Sequence, residues 1–306
     1  MMPTDRVPSE PNSPLLPYHL GCPVWACPEW SGSIFRVNSP RREWLRQYSQ
    51  AFNTVEGNST FYAIPSLDTA RRWAADTASG FRFALKFPQV ISHERQLEAC
   101  DTELRVFLEV VAILAAADRL GPTFLQLSAS FGPDRLATLT RFLERLPAEF
   151  PYAVEVRHPA FFAAGDDEQA LDELLAHRGV DRVLFDSRAI FDGPPADEHE
   201  AESQRRKPRV PLRRTVTGRR PLVRFVGRDD IERSRGMLVE WAPVVAGWIK
   251  NGLEPYFFTH APCDAFAPAM AAMFHEALQA ELPQLEQLPE PPGRKSSPTL
   301  RQRELF

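Results

Sequence analysis

The chain reads as an α/β protein, and the predicted fold is a single (β/α)8 TIM barrel. Eight short β-branched or aromatic runs, most ending in a polar or charged residue, begin 27 to 42 residues apart. That is the length of a strand–helix–strand unit. Most runs are followed by a helix-like stretch, and a barrel of about 250 residues fits within the 306 available.

The runs predict strands at 19–25, 54–61, 81–87, 123–128, 152–158, 182–188, 222–227 and 255–260. Between and after them, helical patterning covers 41–50, 67–76, 101–118, 134–146, 166–178, 234–251 and 267–280, several of these opening on Asp or Ser as an N-cap. Five of the 29 prolines fall in residues 1–17 and five more between 283 and 298. Segments of that composition bury too little apolar surface to offset ordering entropy, so 1–18 and 281–306 are expected as flexible tails around a domain spanning 19–280. One connection departs from the pattern. Residues 192–220 show no helical period, and their charge is segregated: Asp197, Glu198, Glu200 and Glu202 come first. Arg205, Arg206, Lys207, Arg209, Arg213, Arg214, Arg219 and Arg220 follow. A loop of this length joining strands six and seven is expected at the catalytic end, either as a self-neutralising solvated loop or as an anion clamp.

Hydrophobic residues make up 43% and charged residues 25%, ordinary for a globular domain, and a net charge of -4 gives no general attraction to nucleic acid or membrane. No apolar stretch approaches the roughly 20 residues that span a bilayer, and the first residues lack the pattern of a signal peptide, so the cytoplasm is expected. Cys22, Cys27, Cys100 and Cys263 do not have the spacing of a metal cage and are expected as reduced thiols.

Chemistry is expected where the strands end. Glu56, Lys86, Gln126, Glu155, Asp186 and Arg224 each interrupt an apolar or β-prone run. Buried charges must be paired, and a ring of carboxylates facing Lys86 and Arg224 would pair them while shifting their pKa values. The plain alternative is a structural salt-bridge layer. Three chemistries fit. Glu56 and Glu155 can serve as the two carboxylates of glycosidic cleavage, or as a general acid and base. Lys86 can form a Schiff base. Glu56, Glu155, Asp186, His260 and His93 can hold a divalent metal, the reading ranked last because Lys86 and Arg224 already supply positive charge. The expected catalytic set is therefore Glu56, Lys86, Glu155 and Asp186. Trp25, Asn58, His93, Gln126, Arg157, His158, Arg224 and His260 are expected to bind substrate, with no resident metal or other cofactor. The motifs of dinucleotide oxidoreductases, P-loop enzymes and α/β-hydrolases do not occur.

The segment Thr54-Val55-Glu56-Gly57-Asn58-Ser59-Thr60-Phe61-Tyr62 resembles the signature of the YecE-like proteins, an uncharacterised TIM-barrel family also called domain of unknown function 72. Trp30-Ser31-Gly32, Phe81 to Lys86, Ile91-Ser92-His93, Glu155-Val156-Arg157-His158, Asp186 and Val223-Arg224-Phe225 extend the resemblance across residues 19 to 280. It implies the barrel fold and no settled activity. The chain departs from the family at three strands. It has Arg224-Phe225-Val226-Gly227 where many relatives have Arg-x-His-Gly, Thr259-His260 where many have paired Asn, and Gly21-Cys22-Pro23-Val24-Trp25 for Gly-Thr-Ser-Gly-Trp. A role resting on the strand-seven histidine is left without its residue unless His260 takes it over.

Finally, Gln302, Leu305 and Phe306 form a Q-x-x-L-F pattern that resembles the peptide with which bacterial replication and repair proteins dock on the sliding clamp. An arbitrary tail is the alternative. With the Arg-rich loop, this pattern makes a nucleic-acid substrate the first expectation for an acid–base hydrolase or lyase. A sugar or metabolite substrate comes second, and a non-catalytic binding protein third.

Overall fold

A computed structural model describes residues 13, 14 and 16–294. Eight parallel strands are present among them: β1 (His19–Gly21), β2 (Thr54–Gly57), β3 (Arg82–Leu85), β4 (Thr123–Gln126), β5 (Tyr152–Glu155), β6 (Asp181–Asp186), β7 (Leu222–Val226) and β8 (Tyr256–His260). The helices are α1 (Trp44–Ala51), α2 (Ser59–Tyr62), α3 (Leu67–Asp76), α4 (Asp101–Ala116), α5 (Leu136–Glu144), α6 (Asp166–Arg178), α7 (Glu198–Arg206), α8 (Ile231–Val239), α9 (Ala242–Lys250) and α10 (Ala267–Glu281).

The expected closed eight-stranded barrel is not formed. The ladders make a curled six-stranded sheet, in the order β1-β8-β7-β6-β5-β4, and a separate β2-β3 pair. Local chemistry accounts for both breaks. At the β1/β2 boundary, side chains stand in for the ladder. Asn53 accepts from Leu20 N at 2.8 Å and donates to Tyr18 O, while the Tyr48 hydroxyl bridges Cys22 N and Thr54 O. Gly21 lies so close to β2 that a Cβ there would meet Thr54 O at 2.2 Å. At the β3/β4 boundary the backbone changes phase. Gly121 N bonds Phe83 O, whereas Thr123 N turns the other way to Pro151 O. Residues two apart in a strand should face the same neighbour, and Pro122 between them has no N–H to donate.

Four further expectations change. The stretch read as a strand through Phe61 turns into α2 after Gly57, with Thr60 Oγ1 donating to Gly57 O and Lys86 O. The stretch 234–251 divides into α8 and α9, with Pro243 in the first turn of α9. The charged connection 192–220 contains α7, capped by Asp197, whose carboxylate accepts from Glu200 N at 2.9 Å. Residues 282–294, expected in the flexible tail, pack against the domain: Leu282 and Leu285 are buried, and Gly293 N bonds Ile34 O.

The concave face of the strands carries one apolar layer, made of Ala84, Phe124, Ala153, Val183, Leu222, Tyr256 and Phe258. The opposite face packs on the helices through a larger core that includes Leu125, Val154, Leu184, Val223 and Phe257. This layering sets the direction of every side chain at the strand ends.

Candidate functional site

Side chains alternate across a strand, so two residues beyond the concave apolar layer a second layer must face the same way. From Thr54, Ala84, Phe124, Ala153, Val183, Leu222 and Phe258, that step reaches Glu56, Lys86, Gln126, Glu155, Phe185, Arg224 and His260. Register agrees, with Gln126 opposite Glu155 and Phe185 opposite Arg224. An apolar floor is thus overlain by a polar layer at the strands' C-terminal ends.

Arg224 organises that layer. Its guanidinium grips Glu56 through Nε at 2.8 Å and Nη2 at 2.7 Å, and bonds Glu155 through Nη1. It lies against the rings of Phe124 and Phe185, with Cζ 5.4 Å and 5.7 Å from their centroids. Arg157 donates to Glu155 and Gln126, each at 2.8 Å. Asn58 donates to Glu56 at 2.7 Å and to Pro23 O. Burial raises both carboxyl pKa values, but the cations outweigh it. Glu155 is lowered to about 2 by Arg224, Arg157 and Lys86, and Glu56 is held well below the usual carboxylate range by Arg224 and His260. Both are carboxylates at neutral pH, so neither supplies the protonated acid that glycosidic cleavage needs.

His260 Nε2 lies 2.9 Å from Glu56 Oε2. The carboxylate only accepts, so Nε2 carries the proton and Nδ1 keeps its lone pair. Burial lowers the imidazole to about 4 despite Glu56. A neutral His260 oriented by a carboxylate is the arrangement of a general base.

Above this layer opens a cavity of about 770 Å³, with Asn58, Phe61, Lys86, His93, Gln126, Arg157, Arg224 and His260 in its lining. Lys86 is 7% exposed, and among the described residues its Nζ makes no hydrogen bond or ion pair; it sits 3.8 Å from the centre of the Phe61 ring. Burial and neighbouring Arg224 lower the amine to about 7, against the pull of Glu155 and Glu56. His93, edge-on to Phe61, is lowered to about 4 by burial and Lys86.

Helix α7 and the residue after it form a wall with His199, Glu202, Ser203, Arg206 and Lys207: the charged connection does lie at the strand-end cavity, as one of its two readings had it, but as a helix and with none of these residues in the expected site set. Lys207 is half-buried, and burial with Arg224 lowers it to about 8. Asp264, also in the lining, is raised to about 6 by burial, against the pull of Lys207. A compositional signal for Lys207 was present. The chain's only lysines are Lys86, Lys207, Lys250 and Lys295, against 32 arginines. Two of the four line this cavity.

Three expected site residues are elsewhere. Asp186 lies on the helix-facing side of β6, where its carboxylate accepts from Arg188 and from Trp241 Nε1 at 2.9 Å. Trp25 packs edge-on against Trp73 and Phe83. His158 Nδ1 caps a short helical turn by accepting from Ala160 N. The five donors expected for a metal are therefore not gathered: Asp186 faces away and both glutamates are committed to Arg224. No group of three or more His, Cys, Asp or Glu able to hold a metal occurs among the described residues. The terminal residues Gln302, Leu305 and Phe306 lie outside the described residues. No described helix is long and apolar enough to cross a membrane.

A curled parallel sheet clad in helices, with a polar pocket at its C-terminal edge, defines the class: an α/β protein with a strand-end site. Within that class the chain belongs to the DUF72 family, described as a protein of unknown function, whose model matches residues 19–295. It is 40% identical over 278 residues to the UPF0759 protein YecE of Escherichia coli, covering 91% of this chain and 98% of that one. Two solved DUF72 family structures share the fold. One, from Enterococcus faecalis, has a TM-score of 0.63 and 18% identity over 86% of this chain and 95% of its own. The other, from Thermotoga maritima, has a TM-score of 0.62 and 20% identity over 87% and 99%.

Proposed function

We propose that this protein is an enzyme, a hydrolase or lyase, acting by acid–base chemistry on a small anionic substrate bearing phosphate or sugar. One observation carries the reading. Among the described residues, Lys86 and Lys207 in the cavity make no ion pair, while the carboxylates beneath are bonded by Arg224. Unpaired amines accept an anion, and an amine lowered towards neutrality, as Lys86 is, exchanges protons at working pH, while the neutral imidazole of His260 is free to accept one. The roles differ from those read in the sequence. Glu56 orients His260, Glu155 and Arg224 hold the layer rigid, and Lys86 and His260 move protons. Lys207 and Arg157 receive the anion.

The cavity volume of about 770 Å³ suits a small molecule. A nucleic-acid substrate has less support, because much of the Arg-rich segment is engaged. Arg205 pairs with Glu198 and Glu202, Arg213 with Glu168, Arg214 with Glu240, and Arg220 with Glu254. The test is a turnover screen with sugar phosphates, other phosphorylated metabolites, glycosides and oligonucleotides. Lys86→Met and His260→Ala should each cost about 10²-fold or more in turnover. Binding of a compound without conversion, unaffected by His260→Ala, would make the protein a binding module and end the enzymatic reading.

A further inference from the structure

We infer that Lys86 is a nucleophile, its ε-amine condensing with the aldehyde or ketone carbon of a small phosphorylated substrate to form an imine in this cavity. The inference rests on the reading of the cavity as an anion-accepting enzyme site and names its substrate class. Its first support is placement. Lys86 follows β3 on the concave side, 7% exposed, with its Nζ over the Phe61 ring and no acceptor among the described residues. A lysine that served structure would be paired, as the buried arginines here are. Glu56 and Glu155, the nearby carboxylates, are instead occupied by Arg224, which leaves the amine without a counter-ion in contact.

The second support is residue choice. This chain uses 32 arginines and four lysines. For holding an anion, a guanidinium is the better group, with a fixed fork of donors and a permanent charge. What an arginine cannot do is give up its proton and attack carbon. Lysine at position 86 therefore fits a task that requires a free amine, and burial with Arg224 lowers it to about 7, so a large fraction is free at neutral pH. Lys207, just after α7, places positive charge on the wall of the same cavity for the phosphate, while Arg206 beside it is paired with Glu202.

The chemistry balances without an added oxidant or reductant. The Nζ lone pair attacks the carbonyl carbon, the C=O π pair moves to oxygen, and a proton passes from nitrogen to oxygen through solvent. The nitrogen lone pair then forms the C=N bond as the carbinolamine expels its hydroxyl as water, with a proton supplied by solvent or by Asp264 on the cavity wall, and the iminium nitrogen returns its proton to that donor. The net reaction is amine plus carbonyl giving imine plus water.

The full-length protein would be incubated with glyceraldehyde 3-phosphate and sodium cyanoborohydride, which reduces the imine to a stable secondary amine, and mapped by peptide mass spectrometry. Lys86 should be modified roughly tenfold or more faster than exposed Lys250 at neutral pH, with a half-maximal rate near pH 7. Inorganic phosphate should slow that labelling, and Lys86→Arg should abolish it. The phosphate competition and pH profile use the unmodified protein, so they stand even if the variant folds poorly. Calorimetric binding of the aldehyde phosphate without modification of Lys86 overturns the imine and leaves the anionic-site reading in place. Absence of both binding and modification sinks both.

Discussion

Two buried arginines, four residues apart in sequence, show what separates a site from a strut. Arg228 is fully buried against Glu200, and its remaining donors go to Asp192 O at 2.8 Å and Pro194 O at 2.6 Å. Arg228 and Glu200 answer each other, and neither lines the strand-end cavity. The work of Arg228 is to tie α7 to the body of the protein. Arg224 is as buried and as completely bonded, yet its neighbourhood is not closed. By occupying Glu56 and Glu155 it leaves Lys86 beside them, facing a cavity, without a hydrogen-bond or ion-pair partner among the described residues. Buried charge is therefore a weak sign of function. A buried charge left incompletely answered beside open space is a much stronger one.

Replacing the arginines tests the likeness and should give the largest effects. Arg224→Met and Arg228→Met each strand buried carboxylates, so each should cost about 3–5 kcal/mol in urea unfolding. They should part on location. Hydrogen exchange in 198–206 should rise for Arg228→Met and stay near its original level for Arg224→Met. Acid gives a second reading of the Arg224 cluster. Glu155, normally near 4.5, is lowered to about 2 in the folded protein. The folded state thus binds fewer protons than the unfolded one across that interval. The linked stability is complete above about pH 4.5 and is lost as pH falls towards 2. Glu155→Gln should flatten that part of the profile, and an unchanged acid limb would show that Arg224 does not hold this carboxylate.

The slope with pH has the same sign at Lys86, but at neutral pH its contribution is a cost rather than a gain. Its amine is lowered from 10.5 to about 7, so between those pH values the unfolded chain holds a proton that the folded one does not. Stability from this group therefore falls as pH drops from 10.5 to 7. Lys86→Met should remove that slope and raise stability at neutral pH by about 1–2 kcal/mol, while lowering any turnover found in the substrate screen about 10²-fold or more. A site residue that costs stability, beside a strut that supplies it, is the sharpest form of the contrast. Destabilisation by Lys86→Met would place Lys86 with the struts.

The sequence made the strand ends legible because each polar residue interrupts an apolar run, and Glu56, Lys86, Gln126, Glu155, Arg224 and His260 do meet in one layer. It could not give the direction of Asp186. Val183, Leu184 and Phe185 are all apolar, since a parallel strand covered on both faces loses the alternation that reveals parity. Helix α7 was hidden for a different reason. Glu198–Arg206 has no apolar stripe, and the Glu200–Arg228 pair fastens it in place of hydrophobic packing. The breaks in the ladder depend on the backbone phase at Gly121-Pro122 and on side chains of Asn53 and Tyr48, neither of which strand spacing records.

The smallest functional effect is expected at Asp186, where sequence and structure disagree most directly. Its carboxylate is fully buried, accepting from Arg188 N, Nε and Nη2 and from Trp241 Nε1. Arg188 reaches on to Glu240, so the cluster joins the end of β6 to the segment between α8 and α9. Asp186→Asn keeps the shape but removes the charge and replaces one acceptor oxygen with an NH2 donor that faces another donor. It should cost about 1–3 kcal/mol of stability. Yet Asp186 lies on the opposite side of the strand from Phe185, which adjoins Arg224, and it takes no part in lining the cavity. Labelling of Lys86 by glyceraldehyde 3-phosphate, and any turnover found in the substrate screen, should therefore stay within about twofold of the unmodified protein when measured well below the variant's melting temperature, a margin of under half a kcal/mol. A tenfold loss under those conditions would return Asp186 to the catalytic set and undo the parity argument that separates the two faces of β6.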